Sequence, residues 1–270
     1  MADQATQGNS AHSSSATGSL SQAIDHWIYV FMAAFFVVIT LTGFVPDSIA
    51  KVAAINADQR PPFPMILHVH AVLMGSFLGV LFLQTILAAT GRIEYHRRLG
   101  VAGGILAIAL VVAGFILVPT MFHQFSAMAQ NGAANGVDTS SVVERISNVM
   151  LLQLRVGILF SLFVGIALAA RKTNPGVHKR MMFLAIATAL PAAFHRIPWL
   201  PNTLGESGLS AHLYILLAIS PMLVWDLIRS RSLHKAYVIW LAIFVPSVLL
   251  IDALWSTEWW LATAPRLVGA

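Results

Sequence analysis

The stretch Leu99–Phe122 reads LGVAGGILAIALVVAGFILVPTMF, and it decides the class of fold to which this chain belongs. It contains no charged residue, and it is longer than the roughly 20 apolar residues that a helix needs to cross the hydrocarbon core of a bilayer. Lipid offers no water to unpaired backbone N–H and C=O groups, and the stretch lacks the alternation of a β-barrel strand. It therefore predicts a transmembrane α-helix.

Apolar stretches of similar character recur along the whole chain. Together with the first one, they are Trp27–Phe44, Ile66–Thr90, Leu99–Phe122, Val149–Ala170, Met181–Trp199, Leu209–Ile228 and Ala236–Leu254. Of the 270 residues, 57% are hydrophobic and 10% are charged, a composition typical of integral membrane proteins rather than of soluble domains. The sequence therefore predicts an all-α fold, a polytopic membrane bundle of seven transmembrane helices.

The fifth of these stretches is unusually short. Fourteen residues separate Arg180 from His195, which is about 21 Å of helix against a hydrocarbon core of roughly 30 Å. The segment Ile197–Trp199 continues the apolar character to a tryptophan, a residue typical of the membrane interface. We therefore expect His195 and Arg196 to lie below the membrane surface.

Lysine and arginine are concentrated in one set of loops. Ten of the sixteen basic residues belong to this set: Arg92, Arg97, Arg98, Arg171, Lys172, Lys179, Arg180, Arg229, Arg231 and Lys235. The positive-inside rule then predicts a cytoplasmic amino terminus and an outside carboxyl terminus, in the cell inner membrane. Because this loop bias explains the formal charge of +5, the lipid bilayer is the expected partner and nucleic acid is not.

Composition also divides the chain into three parts. Residues 1–22 are rich in Ser, Ala, Gln and Gly, which predicts a disordered cytoplasmic tail, and they lack the basic residues of a secretory signal. Residues 23–257 form the predicted seven-helix transmembrane domain. Residues 258–270 begin beside Trp255 and contain Trp259 and Trp260, which predicts a tail that lies along the membrane interface.

The sequence contains no cysteine. Disulfides, covalently attached c-type heme, thiolate-ligated heme and cysteine-ligated iron–sulfur clusters are therefore excluded. Any metal centre must use histidine, methionine or carboxylate ligands.

Two histidines begin spans on the predicted cytoplasmic side. His96 precedes the third span and His178 precedes the fifth, and both spans run outward, so the two imidazoles should lie at similar depth. A b-type heme takes two such imidazoles, and Arg92 and Arg180 could bind its propionates. The alternative is that both histidines are ordinary loop residues that face lipid headgroups.

Four further histidines, His68, His70, His195 and His212, fall at the predicted outer side. Histidine is costly to hold near hydrocarbon without a partner, so the group favours a metal or heme site. On a helix, His68 and His70 point about 200° apart, so at most one of them can serve a given interior site. We favour His70, His195 and His212 as ligands over His68.

Arg155 lies well inside the fourth span, where a charge should face the bundle interior and have a partner. It could contact an anion, a heme propionate or a quinone, or it could belong to a structural ion pair. Gln84, inside the second span, favours an interhelical hydrogen bond.

Several motifs resemble those of a group of uncharacterised bacterial multi-pass membrane proteins, over roughly residues 60–235. They are H-x-H at His68–His70, then Gln84, GR at Gly91–Arg92, HRRLG at His96–Gly100 and HKRMM at His178–Met182. More distantly, the arrangement is similar to the transmembrane diheme cytochrome b family that includes the ascorbate-dependent ferric reductases.

The second resemblance implies one bis-histidine heme near each membrane face. His96 and His178 match the cytoplasmic pair of that scheme. The fourth span carries no histidine at its outer end, so the fifth or sixth span would have to supply the partner of the histidine on span two. The leading prediction is therefore an integral membrane heme b protein for electron transfer or oxidoreduction, with a quinol or a small redox molecule as partner.

Two alternatives stay open. The first is a non-heme metalloenzyme whose Zn, Fe or Cu is held at the outer face by His68 or His70 together with His195 and His212. The second is a transporter, sensor or assembly factor without catalysis. In that case kinks at a binding site would come from prolines within the spans, namely Pro119, Pro191, Pro221 and Pro246.

Overall fold

The structure is a computed structural model that describes residues 5–269, with side chains described for residues 20–269. This part of the chain forms nine α-helices and no strand. They are α1 Ala5–Asn56, α2 Met65–Ala89, α3 Ile93–Ala134, α4 Ser140–Ala170, α5 Pro175–Ala187, α6 Pro191–Phe194, α7 Leu209–Ser230, α8 Lys235–Leu254 and α9 Glu258–Leu267. The predicted all-α fold is confirmed.

Six of these helices are long and apolar enough to cross a membrane. They are Leu20–Asn56 of α1, and the whole of α2, α3, α4, α7 and α8. The prediction of a polytopic membrane bundle is therefore confirmed for six spans. The apolar exposed surface agrees with a lipid environment, since Val101, Ile105, Ile108 and Val112 of α3 each expose more than half of their surface.

The fifth predicted span, Met181–Trp199, is not one continuous helix. The chain forms α5, passes through three residues of turn whose N–H groups bond three residues back instead of four, and then forms the single turn of α6. Pro191 has no N–H to donate to Ala187, and the Thr188 hydroxyl donates to the Ala185 carbonyl at 2.6 Å. By contrast, Pro119, Pro221 and Pro246 lie within unbroken helices.

The broken segment occupies the centre of the bundle. α5 packs against α1, α4, α7 and α8, while α6 packs against α1 and α7. Met181, Leu184, Ala185 and Ala187 have no exposed surface. The second half of α5, from Met181 to Ala187, is apolar on all sides, and such a segment is stable when it is surrounded, as it is here.

A close backbone contact fixes the position of α6. A Cβ atom at Gly43 of α1 would lie 2.2 Å from the Ala193 carbonyl oxygen of α6. Only glycine permits this approach, so the sequence of α1 positions the second half of the broken segment.

Side-chain contacts establish which helix ends lie together. Arg180, near the start of α5, binds Asp226, near the end of α7. Asn148, near the start of α4, donates to the Ser256 hydroxyl after α8 at 2.8 Å. We call the first of these ends, where the ten basic residues lie, the basic end, and the second the opposite end.

Two sequence predictions concern the termini. A disordered tail was predicted over residues 1–22, and the structure places residues 5–22 in α1, while residues 1–4 lie outside the described residues. At the other terminus, α9 packs against α4, and the Trp260 indole N–H donates to the Ser147 carbonyl at 3.0 Å. The interfacial position of residues 258–270 stays a prediction.

Candidate functional site

His96 lies in the first turn of α3 at the basic end. Its Nδ1 is 3.2 Å from the carbonyl oxygen of Gln84 on α2, and the Gln84 side-chain amide donates to the His96 carbonyl at 3.1 Å. The interhelical hydrogen bond predicted for Gln84 is thereby confirmed. Because a carbonyl oxygen only accepts, Nδ1 must carry the proton, and Nε2 of the neutral ring keeps its lone pair.

His178 lies in the first turn of α5, and its ring is held in the same way. Pro175 begins the helix, and the Asn174 side chain caps it by accepting from the Val177 N–H at 3.0 Å. The His178 Nδ1–H donates to the carbonyl of Ala167 on α4 at 2.8 Å. Its Nε2 has no hydrogen-bond partner among residues 20–269, and neither does Nε2 of His96.

His96 and His178, the two histidines that the sequence paired, lie at the same end of the bundle, on helices α3 and α5 that both pack against α4. In the neutral form of each ring, Nδ1–H donates to a backbone carbonyl and Nε2 keeps its lone pair. Such a bond on one ring nitrogen is what orients a metal-binding histidine and increases the basicity of its other nitrogen.

Arg180, predicted to bind heme propionates, forms a different contact. Its Nε and Nη2 each donate to Asp226 at 2.6 Å, and the Tyr237 hydroxyl donates to the same carboxylate at 2.6 Å. This half-buried group joins α5 to α7 and α8. The predicted contact of Arg180 with a ligand stays a prediction.

Arg92, the other predicted propionate partner, immediately precedes α3 and lines a groove of about 650 Å³ between α2 and α3. The other lining residues are Leu83, Leu87, Tyr95, Arg98 and Leu99. The groove opens on the outer surface of the bundle at the basic end.

At the opposite end the structure joins two predicted site residues. Arg155 is buried in α4, and its Nη1 lies 2.9 Å from Nδ1 of His212 on α7. Since arginine only donates, Nδ1 accepts, so Nε2 of His212 carries the proton and donates to Asp252 of α8 at 3.2 Å. The Arg155 guanidinium also lies 5.5 Å from the centre of the Phe244 ring.

This arrangement engages both ring nitrogens of His212, so neither is free to ligate a metal. The sequence alone did not identify Asp252 as the partner of His212. A lone acidic residue near the end of a transmembrane span is a usable signal, because such a residue normally has a partner within the bundle.

The other three histidines predicted as ligands at this end have separate surroundings. His195 Nε2 lies 2.9 Å from the Ser210 hydroxyl, and His68 is exposed with its ring edge against Phe63. His70 faces Gly114 of α3, and its Nδ1 is buried without a hydrogen-bond partner among the described residues. Within that part of the chain, no group of three or more His, Asp or Glu side chains could hold a metal ion.

Comparison of the chain with protein-family models, with curated proteins and with solved structures finds no match. The functional interpretation therefore rests on the residues and on their geometry.

Proposed function

We propose that this multi-pass membrane protein binds a b-type heme at the basic end, with His96 and His178 as axial ligands. It would transfer electrons to or from a quinol or another small redox molecule. One observation carries the proposal: two imidazoles on different helices are each anchored through Nδ1–H to a backbone carbonyl and keep Nε2 free. That arrangement suits a metal ligand.

The number of ligands favours heme over a bare metal ion. Structural and catalytic zinc sites take three or four protein ligands, and the described residues gather no group of three. A porphyrin supplies four ligands to its iron, so two imidazoles complete the coordination. The absence of cysteine further excludes a covalently attached heme and a thiolate ligand.

The chain's own residues would orient the ligands. Gln84 joins α2 to α3 beside His96 through two hydrogen bonds, and Asn174 fixes the start of the helix that carries His178. A bound b-type heme would supply one-electron transfer, while the protein sets ligation, polarity and access. The Arg180–Asp226 ion pair holds α5 in place behind His178.

A seventh crossing of the membrane is part of the proposal. Arg180 at the start of α5 binds the end of α7, and His195 after α6 binds Ser210 at the start of α7. These contacts support an α5–α6 segment that runs antiparallel to α7 along its length. Pro175–Phe194 is about 30 Å long at helical rise, and the apolar part after Arg180 supplies about 21 Å of that length.

The orientation also belongs to the proposal. With seven crossings, the basic end faces the cytoplasm together with the amino terminus, and the carboxyl terminus lies outside the inner membrane. The proposed heme would then lie near the cytoplasmic face.

The test is an absorption spectrum of the full-length protein purified from heme-sufficient cells, oxidised and then reduced with dithionite. We expect low-spin b-type bands, and stoichiometric heme by extraction. His96→Ala and His178→Ala should each abolish the component that this pair ligates. The exposed His26→Ala, which removes a histidine outside the proposed pair, serves as the matched control.

A protein purified without heme would overturn the proposal, and stoichiometric zinc in its place would favour the metalloenzyme alternative. Heme bands that persist unchanged in both alanine variants would place the ligands elsewhere. Circular dichroism of each variant separates loss of heme from loss of fold.

A further inference from the structure

We propose that the groove between α2 and α3 at the basic end is a binding site for an anionic phospholipid. Its guanidinium groups would hold the phosphate of the headgroup, and its leucines would hold an acyl chain. The inference does not require a bound heme, and it assigns Arg92 to a lipid phosphate rather than to the heme propionate predicted from the sequence.

The lining of the groove has two chemically distinct parts. Arg92, Tyr95 and Arg98 supply the polar part, with guanidinium and phenol donors suited to phosphate oxygens. The apolar part consists of Leu83, Leu87 and Leu99. A volume of about 650 Å³ exceeds the space that a free phosphate ion requires, and leaves room for hydrocarbon.

The charge of the groove favours an anion. No acidic side chain lines it. The nearest carboxylate, Glu94, forms an ion pair with Arg98, but the two side chains are 73% and 74% exposed. An ion pair so accessible to water is weak, so a phosphate can compete for Arg98. Arg92 forms no ion pair with any residue between 20 and 269.

The depth of the groove matches the headgroup region. α2 ends at Ala89, and α3 begins at Ile93 after a turn that contains Arg92. The guanidinium groups therefore lie at the helix ends, while Leu83 lies nearly two turns deeper along α2. Arg92 at the start of α3, together with Tyr95 and Leu99 within the helix, follows the spacing of one helix face. Basic pockets between transmembrane helices bind anionic lipid headgroups in this way.

An acyl chain distinguishes this site from a simple anion site. The apolar part of the groove is open to the side of the bundle, since Leu83 in its wall is 45% exposed. A lipid can enter from the bilayer with its chain against the leucines. A water-soluble anion has no comparable contact there.

The test is native mass spectrometry of the full-length protein in detergent with dioleoyl phosphatidylglycerol or dioleoyl phosphatidylcholine at equal concentration. We expect the anionic lipid to be retained preferentially. The double variant Arg92→Gln/Arg98→Gln should reduce that preference by about tenfold or more, as two surface cations are removed. The matched control is Arg171→Gln/Lys172→Gln, which removes two exposed cations at the same end but outside the groove.

Equal retention of the two lipids by the unmodified protein would overturn the proposal, as would an equal loss of preference in the groove variant and in the control. Excess inorganic phosphate should leave the bound lipid in place. Displacement of the lipid by phosphate alone would show a headgroup site without a role for the leucines, and would also overturn the proposal. A thermal unfolding curve for each variant confirms that the fold is retained.

Discussion

Arg155 places a permanent positive charge inside α4, and its surroundings show how single residues make that charge tolerable. One guanidinium nitrogen donates to His212, and the ring of Phe244 lies beside the group. The Nε of Arg155 is buried without a partner among the described residues. Most of the compensation for the buried charge therefore depends on one histidine and on the carboxylate behind it.

We predict a measurable coupling between Arg155 and His212. In a double-mutant cycle with Arg155→Met and His212→Phe, the coupling free energy of unfolding in detergent should be about 1–2 kcal/mol, because loss of either partner leaves a buried polar group unpaired. The control cycle, Glu94→Gln with Arg98→Gln, removes an exposed pair and should give less than about 0.5 kcal/mol. Equal coupling free energies in the two cycles would contradict the prediction that burial strengthens the Arg155–His212 interaction.

His234 is the loop residue that caps the start of α8 at the basic end. Its Nδ1 accepts the Ala236 N–H at 3.1 Å. Only the neutral ring can accept this bond. Burial lowers the pKa of His234, and the positive charge of Arg180 lowers it further. The unfolded chain therefore takes up a proton more readily than the folded chain at this position.

From this sign, we predict that the His234 contribution to stability is present above the ordinary histidine pKa of about 6.5 and is lost as the pH falls below it. His234→Asn keeps a helix-capping acceptor but does not titrate. Unfolding measured in detergent between pH 8 and pH 5 should therefore show a smaller decrease for this variant than for the unmodified protein. Parallel curves for the two proteins would exclude a role for His234.

At the scale of the helices, the close backbone contact between α1 and α6 allows a direct test of packing. We predict that Gly43→Ala destabilises the protein by about 3 kcal/mol or more, because its Cβ would overlap the Ala193 carbonyl and backbone must move. Gly75→Ala is the matched control, since a Cβ at this position in α2 meets no atom within 4 Å. That substitution should be neutral or stabilising by up to about 1 kcal/mol. Thermal unfolding in detergent measures both.

The sequence predicted some elements closely because one physical rule governs them. Residues Ile66–Thr90, Leu209–Ile228 and Ala236–Leu254 were expected as spans, and α2, α7 and α8 match them to within two residues at each end. In these three helices the ends of the apolar stretch coincide with the ends of the helix. α3 differs, since it continues as a helix to Ala134, well beyond the apolar stretch that ends at Phe122. Polar helix can extend past a membrane, and hydropathy does not detect it.

The candidate site was predictable only in part. The pairing of His96 with His178 follows from their positions at the starts of two spans that run in the same direction. Their anchors do not, because the carbonyls of Gln84 and Ala167 belong to the backbone and leave no mark in the residue types. The partner of His212 depends on how α7 meets α8, which a single sequence does not record.

At the scale of the whole molecule, the proposed orientation can be measured directly because the chain contains no cysteine. We predict that Lys172→Cys, between α4 and α5, is protected from a membrane-impermeant thiol reagent in intact cells and is labelled after permeabilisation. Glu206→Cys, between α6 and α7, should be labelled in intact cells. Both positions are exposed, so reactivity reports sidedness rather than burial.

Labelling of the two positions from the same side would remove the seventh crossing, since it would place both ends of the α5–α6 segment on one face. The reverse pattern would keep the crossing and invert the protein. The unmodified cysteine-free chain supplies the background for both measurements.

The broken α5–α6 segment has a consequence for how the protein is made. Its first half, α5, carries Lys179 and Arg180. Unlike the six candidate spans, α5 is too short and not apolar enough to cross a membrane as one helix. Released alone from the ribosome into the translocation channel, it would partition poorly into lipid. We expect biogenesis to retain it until α7 has been synthesised, so that Asp226 can neutralise Arg180 as the two segments enter the bilayer as one hairpin.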